Sequence, residues 1–195
     1  MIIIRRDKLE ICEPDTPVMK SILPEFNFSE HDATDVQMLV KVLFTKMQEL
    51  GGIGLSANQL GLPYRVFVMG TADLQTAIFN PEILEYLGEP ETFKEGCLSY
   101  PGLFMQIKRP PAIRVKYQNV DAEVREKIFT GLTARVFQHE FDHMQGRDFT
   151  AGVSKLKLKM AQERYQRNRK KLIKKHAVKT MLEALKNGQE DSERV

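Results

Sequence analysis

The stretch that decides the fold is Gln138-His139-Glu140-Phe141-Asp142-His143, which contains an H-E-x-x-H pattern. On an α-helix, two histidines four residues apart lie on the same face, one turn above the other. Both imidazoles can then reach one metal ion, and the glutamate between them can take a proton from a bound water molecule. The same pattern also arises by chance in solvated polar helices, so the flanking residues decide between the two interpretations.

The residues around this pattern indicate a buried helix. Apolar side chains recur on one side of the segment, at Leu132, Val136, Phe137 and Phe141. We expect the helix to run over residues 132–145 and to end at Gly146. Buried histidines and a buried glutamate need polar partners, and a metal ion would supply them.

Length and composition predict an ordinary globular protein. The 195 residues suffice for one domain with a real core, and 42% hydrophobic with 28% charged residues is typical of a soluble protein. No apolar run approaches the roughly 20 residues that span a bilayer. Residues 1–6 lack the features of a signal peptide and predict a first β-strand. We therefore expect a cytoplasmic location, with Cys12 and Cys97 as free thiols and Cys12 as a small buried hydrophobe.

The charge distribution is asymmetric. Residues 155–179 contain eleven Lys or Arg against one acid, whereas residues 1–154 carry a net charge of −5. This asymmetry predicts one domain over residues 1–153, which carries the candidate site, and a basic C-terminal helical extension over residues 154–195. A narrow apolar stripe lies in the extension, at Val178, Met181, Leu182 and Leu185. The basic segment has two interpretations, a solvated helix face or an interaction tail.

Hydrophobic periodicity and turn residues predict the remaining elements. An amphipathic helix is predicted over residues 34–50, with Thr34 and Gln37 as a capping box and Gly51 as its stop. Strands are predicted over residues 65–69, 78–81, 113–117 and 127–130, the second ending at a turn and the last two pairing. We expect an α+β fold in which short antiparallel sheets pack around a central metal-binding helix, with a C-terminal helix.

The metal helix needs a third ligand, because a catalytic metal usually has three protein ligands. The candidates are Cys97, a carboxylate such as Glu95, or another histidine, but His31 and His176 lie in polar stretches and are expected at the surface. Cys97 lies in a glycine-flanked turn over residues 95–102, and spacing alone ranks it slightly ahead of Glu95. Residues 51–59 are also glycine-rich, which predicts close backbone approach or positive φ angles. A phosphate-binding loop is disfavoured there because no Gly-Lys-Ser/Thr follows.

Three separate segments of the chain carry recognisable sequence motifs. Residues 52–59, Gly-Ile-Gly-Leu-Ser-Ala-Asn-Gln, resemble GxGLAAxQ. Residues 95–99, Glu-Gly-Cys-Leu-Ser, match EGCLS, and residues 138–143 match QHExDH. These three motifs, in this order, resemble those of the peptide deformylase family, and the resemblance covers roughly residues 5–165. Ser56 and Met144 stand where the family usually has alanine and leucine, which are close to them in size.

The resemblance implies a role for each candidate residue. Cys97, His139 and His143 would bind Fe²⁺, for which Ni²⁺, Co²⁺ or Zn²⁺ can substitute. Glu140 would be the general base, and the Gln59 amide and the Leu98 backbone N–H would bind the oxyanion. Arg109 would contact the substrate backbone, Glu95 would support a metal ligand or fix the loop beside the substrate, and Arg135 would border the pocket. The other expected substrate-binding residues are Gly54, Ile53, Phe93, Leu132 and Val136.

The implied substrate is the N-formyl-methionine end of a nascent polypeptide, which is hydrolysed to formate and a free amine. The basic extension would dock on ribosomal RNA, and neither a membrane nor DNA is an expected partner. One rival is a zinc metallopeptidase, which also uses H-E-x-x-H but takes a third His or Glu as ligand. A second rival is an RNA- or ribosome-binding protein with a relic metal site. A relic has no physical need to keep Gln59, Cys97 and Glu140 together.

Overall fold

The computed structural model describes residues 9–70 and 74–167. The chain divides into two compact units, residues 1–153 and residues 154–195. The predicted strand at residues 1–6, the apolar stripe at residues 178–185 and His176 lie outside the described residues. Within the described part of the chain, no helix combines the length and apolar character needed to cross a membrane.

The described residues of the first unit form three α-helices and seven β-strands. The helices are α1 (Pro17–Lys20), α2 (Ala33–Glu49) and α3 (Gly131–Met144). The strands are β1 (Gly54–Ser56), β2 (Val66–Gly70), β3 (Gln75–Leu87), β4 (Glu91–Cys97), β5 (Tyr100–Arg109), β6 (Ala112–Gln118) and β7 (Val124–Thr130). Two short 3-10 helices lie at Phe28–Glu30 and Ala57–Leu60.

The strands form two antiparallel sheets, which confirms the predicted α+β class. One sheet has the spatial order β1-β2-β3-β6-β7, and β4 with β5 forms a separate hairpin. Alternation along β2 decides which helix covers each face: Val66 and Val68 pack with residues of α2, whereas Phe67 and Met69 pack with residues of α3. Successive side chains of a strand point to opposite faces. The larger sheet is therefore covered by α2 on one face and by α3 on the other.

Helix α3 follows the prediction closely, because its boundaries differ from it by one residue at each end. The fully buried Phe137 ring lies 5.2 Å from Phe67 and 5.8 Å from Phe129, measured between ring centroids. Burial of one such side chain stabilises the fold by roughly 1.5–3 kcal/mol. Gly146 ends the helix with φ 67°. A Cβ at this position would lie 2.5 Å from the carbonyl oxygen of Lys20, so the chain leaves α3 in close contact with α1.

Helix α2 begins at a different cap from the predicted one. The Asp32 carboxylate accepts a hydrogen bond of 2.8 Å from the backbone N–H of Asp35, and the helix starts at Ala33. The predicted capping box of Thr34 and Gln37 is therefore wrong, because an aspartate two positions earlier already satisfies a free N–H group of the first turn. The predicted end is confirmed, since Gly51 follows the helix with φ 67°.

Strand β3 is longer than predicted and does not turn at Pro81. Asn80 adopts φ 48° at an irregularity in the pairing of β3 with β6. Its side chain accepts a hydrogen bond from the Phe26 N–H and donates to the Phe26 carbonyl and to Gln118. These bonds stabilise the irregular backbone, so the strand continues past the proline. The β4–β5 hairpin was not predicted, and it divides the expected turn at residues 95–102 between two strands.

The described part of the second unit is a helix over residues 155–167. Its first turn is closed by a 3.0 Å hydrogen bond from the Leu158 N–H to the Ser154 carbonyl. The Ser154 hydroxyl accepts from the Lys157 N–H at 3.4 Å, which makes Ser154 a helix cap. Lys155, Lys157 and Lys159 are exposed to solvent.

Candidate metal centre and substrate cavity

Helix α3 presents His139 and His143 one turn apart on the same side, as the i, i+4 spacing predicts. Their ring centroids lie 5.1 Å apart. His143 is fully buried and His139 nearly so, and the intervening Glu140 is only 4% exposed. Three polar side chains on one buried helical turn would be costly without compensating partners.

Cys97, the last residue of β4, completes a group of three side chains that could bind a metal ion. Its Sγ lies 3.4 Å from Nε2 of His143. One ligand atom from each of Cys97, His139 and His143 lies within 4.8 Å of the others, the one such group found among residues 9–70 and 74–167. The alternative ligand, Glu95, faces the other side of the ring, with Oε2 3.2 Å from Nδ1 of His139. The geometry therefore favours Cys97 over Glu95 as the third candidate ligand.

The donor set and its surroundings fit a metal ion. Burial lowers the pKa of His143 to about 3, so its imidazole is neutral, which is the form that binds a metal. Burial also acts to lower the pKa of His139, but hydrogen bonds with Cys97 and Glu95 raise it to about 10. Cys97 and Glu95 thus stabilise a positive charge at His139, and a bound metal ion would supply such a charge. A thiolate with two imidazoles suits borderline ions such as Fe²⁺, Ni²⁺, Co²⁺ and Zn²⁺.

The Glu95 carboxylate is the centre of a buried ion-pair network behind the candidate ligands. It accepts two hydrogen bonds from Arg109, at 2.9 and 3.2 Å, and one from Arg135 at 2.7 Å. Burial would raise the pKa of Glu95, but hydrogen bonds from His139 and Arg109 lower it to about 2. A carboxylate that bonds the second nitrogen of a ligating histidine holds the ring in orientation and strengthens it as a ligand.

Arg109 and Arg135 occupy different places in this network. Arg109 is buried behind Glu95 and also bonds the Asp142 carboxylate at 2.7 Å. Arg109 therefore lies behind Glu95 and does not line the cavity. The substrate contact expected for Arg109 would require it to lie in the cavity wall. Arg135 lines the cavity, donates to the carbonyls of Ile107 and Glu91, and stacks over the Phe93 ring at 5.3 Å.

Gln59 projects its amide group towards the candidate metal ligands. Its Oε1 accepts hydrogen bonds from the backbone N–H and the hydroxyl of Ser56, both at 3.1 Å. The Nε2 group is thereby turned towards Cys97 Sγ, at 3.4 Å, and Ser99 Oγ, at 3.2 Å. Leu98, which lies between Cys97 and Ser99 in sequence, also lines the cavity. The structure thus brings the two expected oxyanion-binding residues to the same cavity.

Glu140 and the glycine-rich segment fit closely together. A Cβ at Gly54 would lie 2.5 Å from Oε1 of Glu140 and 2.8 Å from Cγ1 of Val136. The close backbone approach predicted for residues 51–59 is therefore confirmed at this position. Burial raises the pKa of Glu140 to about 7, so a proton can be gained or lost near neutral pH. Its Oε2, like Nδ1 of His143, is buried without a hydrogen-bond partner among the described residues.

A cavity of about 530 Å³ opens beside these groups. Every expected substrate-binding residue other than Arg109 lines it: Ile53, Gly54, Phe93, Glu95, Leu132 and Val136. Ile53, Phe93 and Leu132 are each about half exposed, at 45%, 55% and 49%. Large apolar side chains that remain exposed around a cavity are typical of a site that is covered by a ligand.

Several residues of the site were missed or misplaced by sequence reasoning. Asn58 donates a 2.9 Å hydrogen bond to the His143 carbonyl, and its position inside the glycine-rich motif was the available signal. Phe104 lines the cavity from a strand that was not predicted. His31 is half-buried and therefore less exposed than predicted, because Phe26 stacks on it at 4.8 Å and Tyr64 packs edge-on at 5.7 Å. Cys12 is half-buried, not fully buried.

Comparisons with known proteins agree with this geometry. The sequence model of the polypeptide deformylase family matches residues 8–159. The chain is 40% identical over 132 residues to the peptide deformylase of Thermotoga maritima, covering 68% of this chain and 78% of that protein. The crystal structure of a peptide deformylase from Synechococcus elongatus in complex with actinonin superposes with a TM-score of 0.75 at 26% identity, over 84% of this chain and 88% of that one. A Met-Ala-Ser-bound class I type b peptide deformylase from Acinetobacter baumannii gives 0.70 at 28% identity, over 74% and 98%.

Proposed function

Because this chain belongs to the polypeptide deformylase family, we propose a specific role for each residue of its site. The protein is a metal-dependent hydrolase that removes the N-formyl group from N-formylmethionyl polypeptides and releases formate. One observation carries the assignment of roles: Cys97, His139 and His143 converge within 4.8 Å beside a buried Glu140, one of whose carboxylate oxygens has no hydrogen-bond partner in the part of the chain that the structure describes.

The three converging side chains would hold the metal ion. A bound divalent ion lowers the pKa of a water molecule and polarises a carbonyl oxygen. The soft Cys97 thiolate favours Fe²⁺, with Ni²⁺, Co²⁺ or Zn²⁺ as substitutes, over ions that prefer oxygen ligands. Metal analysis of protein purified without oxygen would test this identity, and Mg²⁺ or Ca²⁺ as the sole retained ion would contradict it.

Glu140 acts as general base and then as general acid. It takes the proton from the attacking water and passes it to the leaving nitrogen as the bond between the formyl carbon and that nitrogen breaks. Its burial beside Gly54 and Val136 keeps the carboxylate close to the reacting atoms. The products are formate and a peptide with a free amino group.

Gln59 and Leu98 bind the oxygen on which negative charge develops. The Gln59 amide is held by Ser56 with its N–H groups directed into the site. A donor that is already oriented costs no reorganisation during the reaction, and loss of one such donor typically costs about 100- to 1000-fold in kcat. The Leu98 backbone N–H supplies the second donor in this proposal.

The substrate lies in the cavity with its methionine side chain against Ile53, Phe93, Leu132 and Val136. Strand β1 lies at the edge of the larger sheet, so its outer backbone groups can pair with an extended peptide. Glu95 positions His139 at the border of the cavity, and Arg109 and Arg135 balance the charge of Glu95. Arg109 thus acts on the substrate indirectly, through Glu95.

The basic extension over residues 154–195 binds ribosomal RNA in this proposal, which would bring the enzyme to nascent chains in the cytoplasm. Its support is the eleven Lys or Arg in residues 155–179 and the exposure of Lys155, Lys157 and Lys159. Binding through phosphate contacts should weaken steeply as salt rises. Co-sedimentation of the full chain with ribosomes at low salt, unchanged on deletion of residues 155–195, would contradict it.

The deciding experiment is formate release from formyl-Met-Ala-Ser, using protein loaded with Fe²⁺ or Ni²⁺ without oxygen. The matched control is Glu140→Gln, which keeps the shape of the side chain and removes the base. Release by the wild type and its loss in the variant would support the assignment. A zinc metallopeptidase would instead release free amino acids or dipeptides, and Cys97→Ser would leave its activity nearly intact.

A further inference from the structure

The turn that carries Cys97 is anchored at its far end to the segment after α3. Cys97 pairs with Tyr100 across the β4–β5 hairpin, directly after an irregularity between Gly96 and Cys97. The Tyr100 hydroxyl donates a 2.9 Å hydrogen bond to Oδ2 of Asp148. The hairpin therefore pairs both ends of the turn, and the Tyr100 end is also held by a carboxylate 48 residues later in the chain.

Asp148 is itself held firmly. Its side chain is 7% exposed, and Lys20 of α1 donates to the same oxygen as Tyr100, at 3.2 Å. The Thr150 backbone N–H and hydroxyl both donate to the other oxygen, Oδ1. Hydrogen bonds to an ionised group are short and strong, so a buried carboxylate with four donors is a rigid anchor.

The same segment also contacts a candidate metal ligand directly. The Phe149 ring lies 5.4 Å from Tyr100 in an edge-to-face arrangement and 5.7 Å from the His139 ring. Tyr100 and His139 thus share one aromatic neighbour, which follows Asp148 in sequence. Displacement of Tyr100 would therefore disturb both the turn that carries Cys97 and the packing of the His139 ring.

We propose that Tyr100 and Asp148 form a clamp that positions the Cys97 thiolate and thereby sets how slowly the site releases its metal ion. This inference rests on the proposed role of Cys97 as a metal ligand. Tyr100 is a positioning residue in this scheme, because its hydroxyl bonds Asp148 and not the reacting atoms. Residues directly behind a ligand typically change metal affinity about 10- to 100-fold when mutated. The clamp acts one step further away, so we expect an effect of about tenfold.

The test uses the full chain loaded with Co²⁺, whose thiolate complex absorbs in the near ultraviolet. Tyr100→Phe removes only the hydroxyl and keeps the ring packed on Phe149. We expect Co²⁺ to pass to an excess of chelator about tenfold faster from this variant, with an altered thiolate absorption. The matched control is Tyr117→Phe, which removes a hydroxyl from a buried ring in β6, against Phe129, and should change neither measurement.

A second variant tests whether the two residues act through each other. Asp148→Ala should also speed release, and the double variant should release Co²⁺ no faster than the faster single variant, because both changes break the same bond. A purely structural role would lower the free energy of unfolding and leave the thiolate absorption unchanged. Wild-type release rate and absorption in Tyr100→Phe would overturn the clamp while leaving the metal site intact. Absence of thiolate absorption in the wild type would overturn both the Cys97 assignment and the clamp.

Discussion

Replacement of Glu95 by glutamine is the sharpest test of the buried network. Glu95 is the only residue that bonds Arg109, Arg135 and His139 together among the described residues, and it is 6% exposed. In Glu95→Gln the two guanidinium groups keep their charge and lose their main acceptor. Removal of one partner from a buried ion pair typically costs about 3–5 kcal/mol, since the remaining charge is left uncompensated. Arg109 retains Asp142 as a second partner, so we expect a loss of about 3 kcal/mol in the free energy of unfolding.

The lowered pKa of Glu95 also predicts how the stability lost in Glu95→Gln depends on pH. The pKa of Glu95 lies below its ordinary value of 4.5, at about 2, so its contribution is complete above pH 4.5 and is lost as the pH falls towards 2. The difference in stability between wild type and Glu95→Gln should be constant from pH 7 to pH 5 and should shrink below that. Urea unfolding of the metal-free proteins measures this, because bound metal would add its own stabilisation.

A control on the same strand makes the interpretation specific. Glu91 is exposed at the start of β4, and Glu91→Gln should change stability by less than about 0.5 kcal/mol. Our reasoning would be refuted if Glu95→Gln lost less than about 1 kcal/mol at pH 7, or if its deficit were the same at pH 3 as at pH 7.

Three further predictions follow from individual contacts. Gly54→Ala should lower kcat roughly 100-fold, because its Cβ would displace Glu140, and a shift of about 1 Å can cost that much. Gly52→Ala should be much milder because its Cβ would first meet the flexible end of the Leu98 side chain, at 2.8 Å, and the nearest backbone atom, the Gly54 carbonyl oxygen, would lie 3.3 Å away; equal losses in steady-state assays would contradict this. Asn58→Ala should destabilise the protein by about 0.5–1.5 kcal/mol, because the His143 carbonyl would lose its side-chain donor and keep only the Gly146 N–H at 3.2 Å, and a denaturation midpoint equal to that of the wild type would contradict this. Chelation of the metal should lower the melting temperature, and restoring free metal to 100 times its Kd should recover about 2.7 kcal/mol; insensitivity of the melting temperature to metal would argue against the site.

The elements that sequence predicted well are those whose signal is local. Helix α3 was placed to within one residue because its apolar side, its histidine spacing and Gly146 all lie within one short segment. The strand pair β6–β7 was predicted for the same reason. The capping box failed because two caps competed within three residues, and side-chain geometry chose Asp32. The turn at Pro81 failed because Asn80 is stabilised by Phe26, 54 residues away.

The sequence by itself determined the i, i+4 presentation of His139 and His143, the position of Glu140 between them, and the family to which the three motifs are similar. These features depend on helix periodicity and on residue identity, which are both readable along the chain. Only the tertiary structure decided that Cys97, and not Glu95, faces the two imidazoles, and that Arg109 lies behind the site. The physical reason is that β4 must be paired with β5 and packed near α3 before residues 42 positions apart can meet. No local pattern specifies which side of a histidine ring each of two neighbouring side chains will reach.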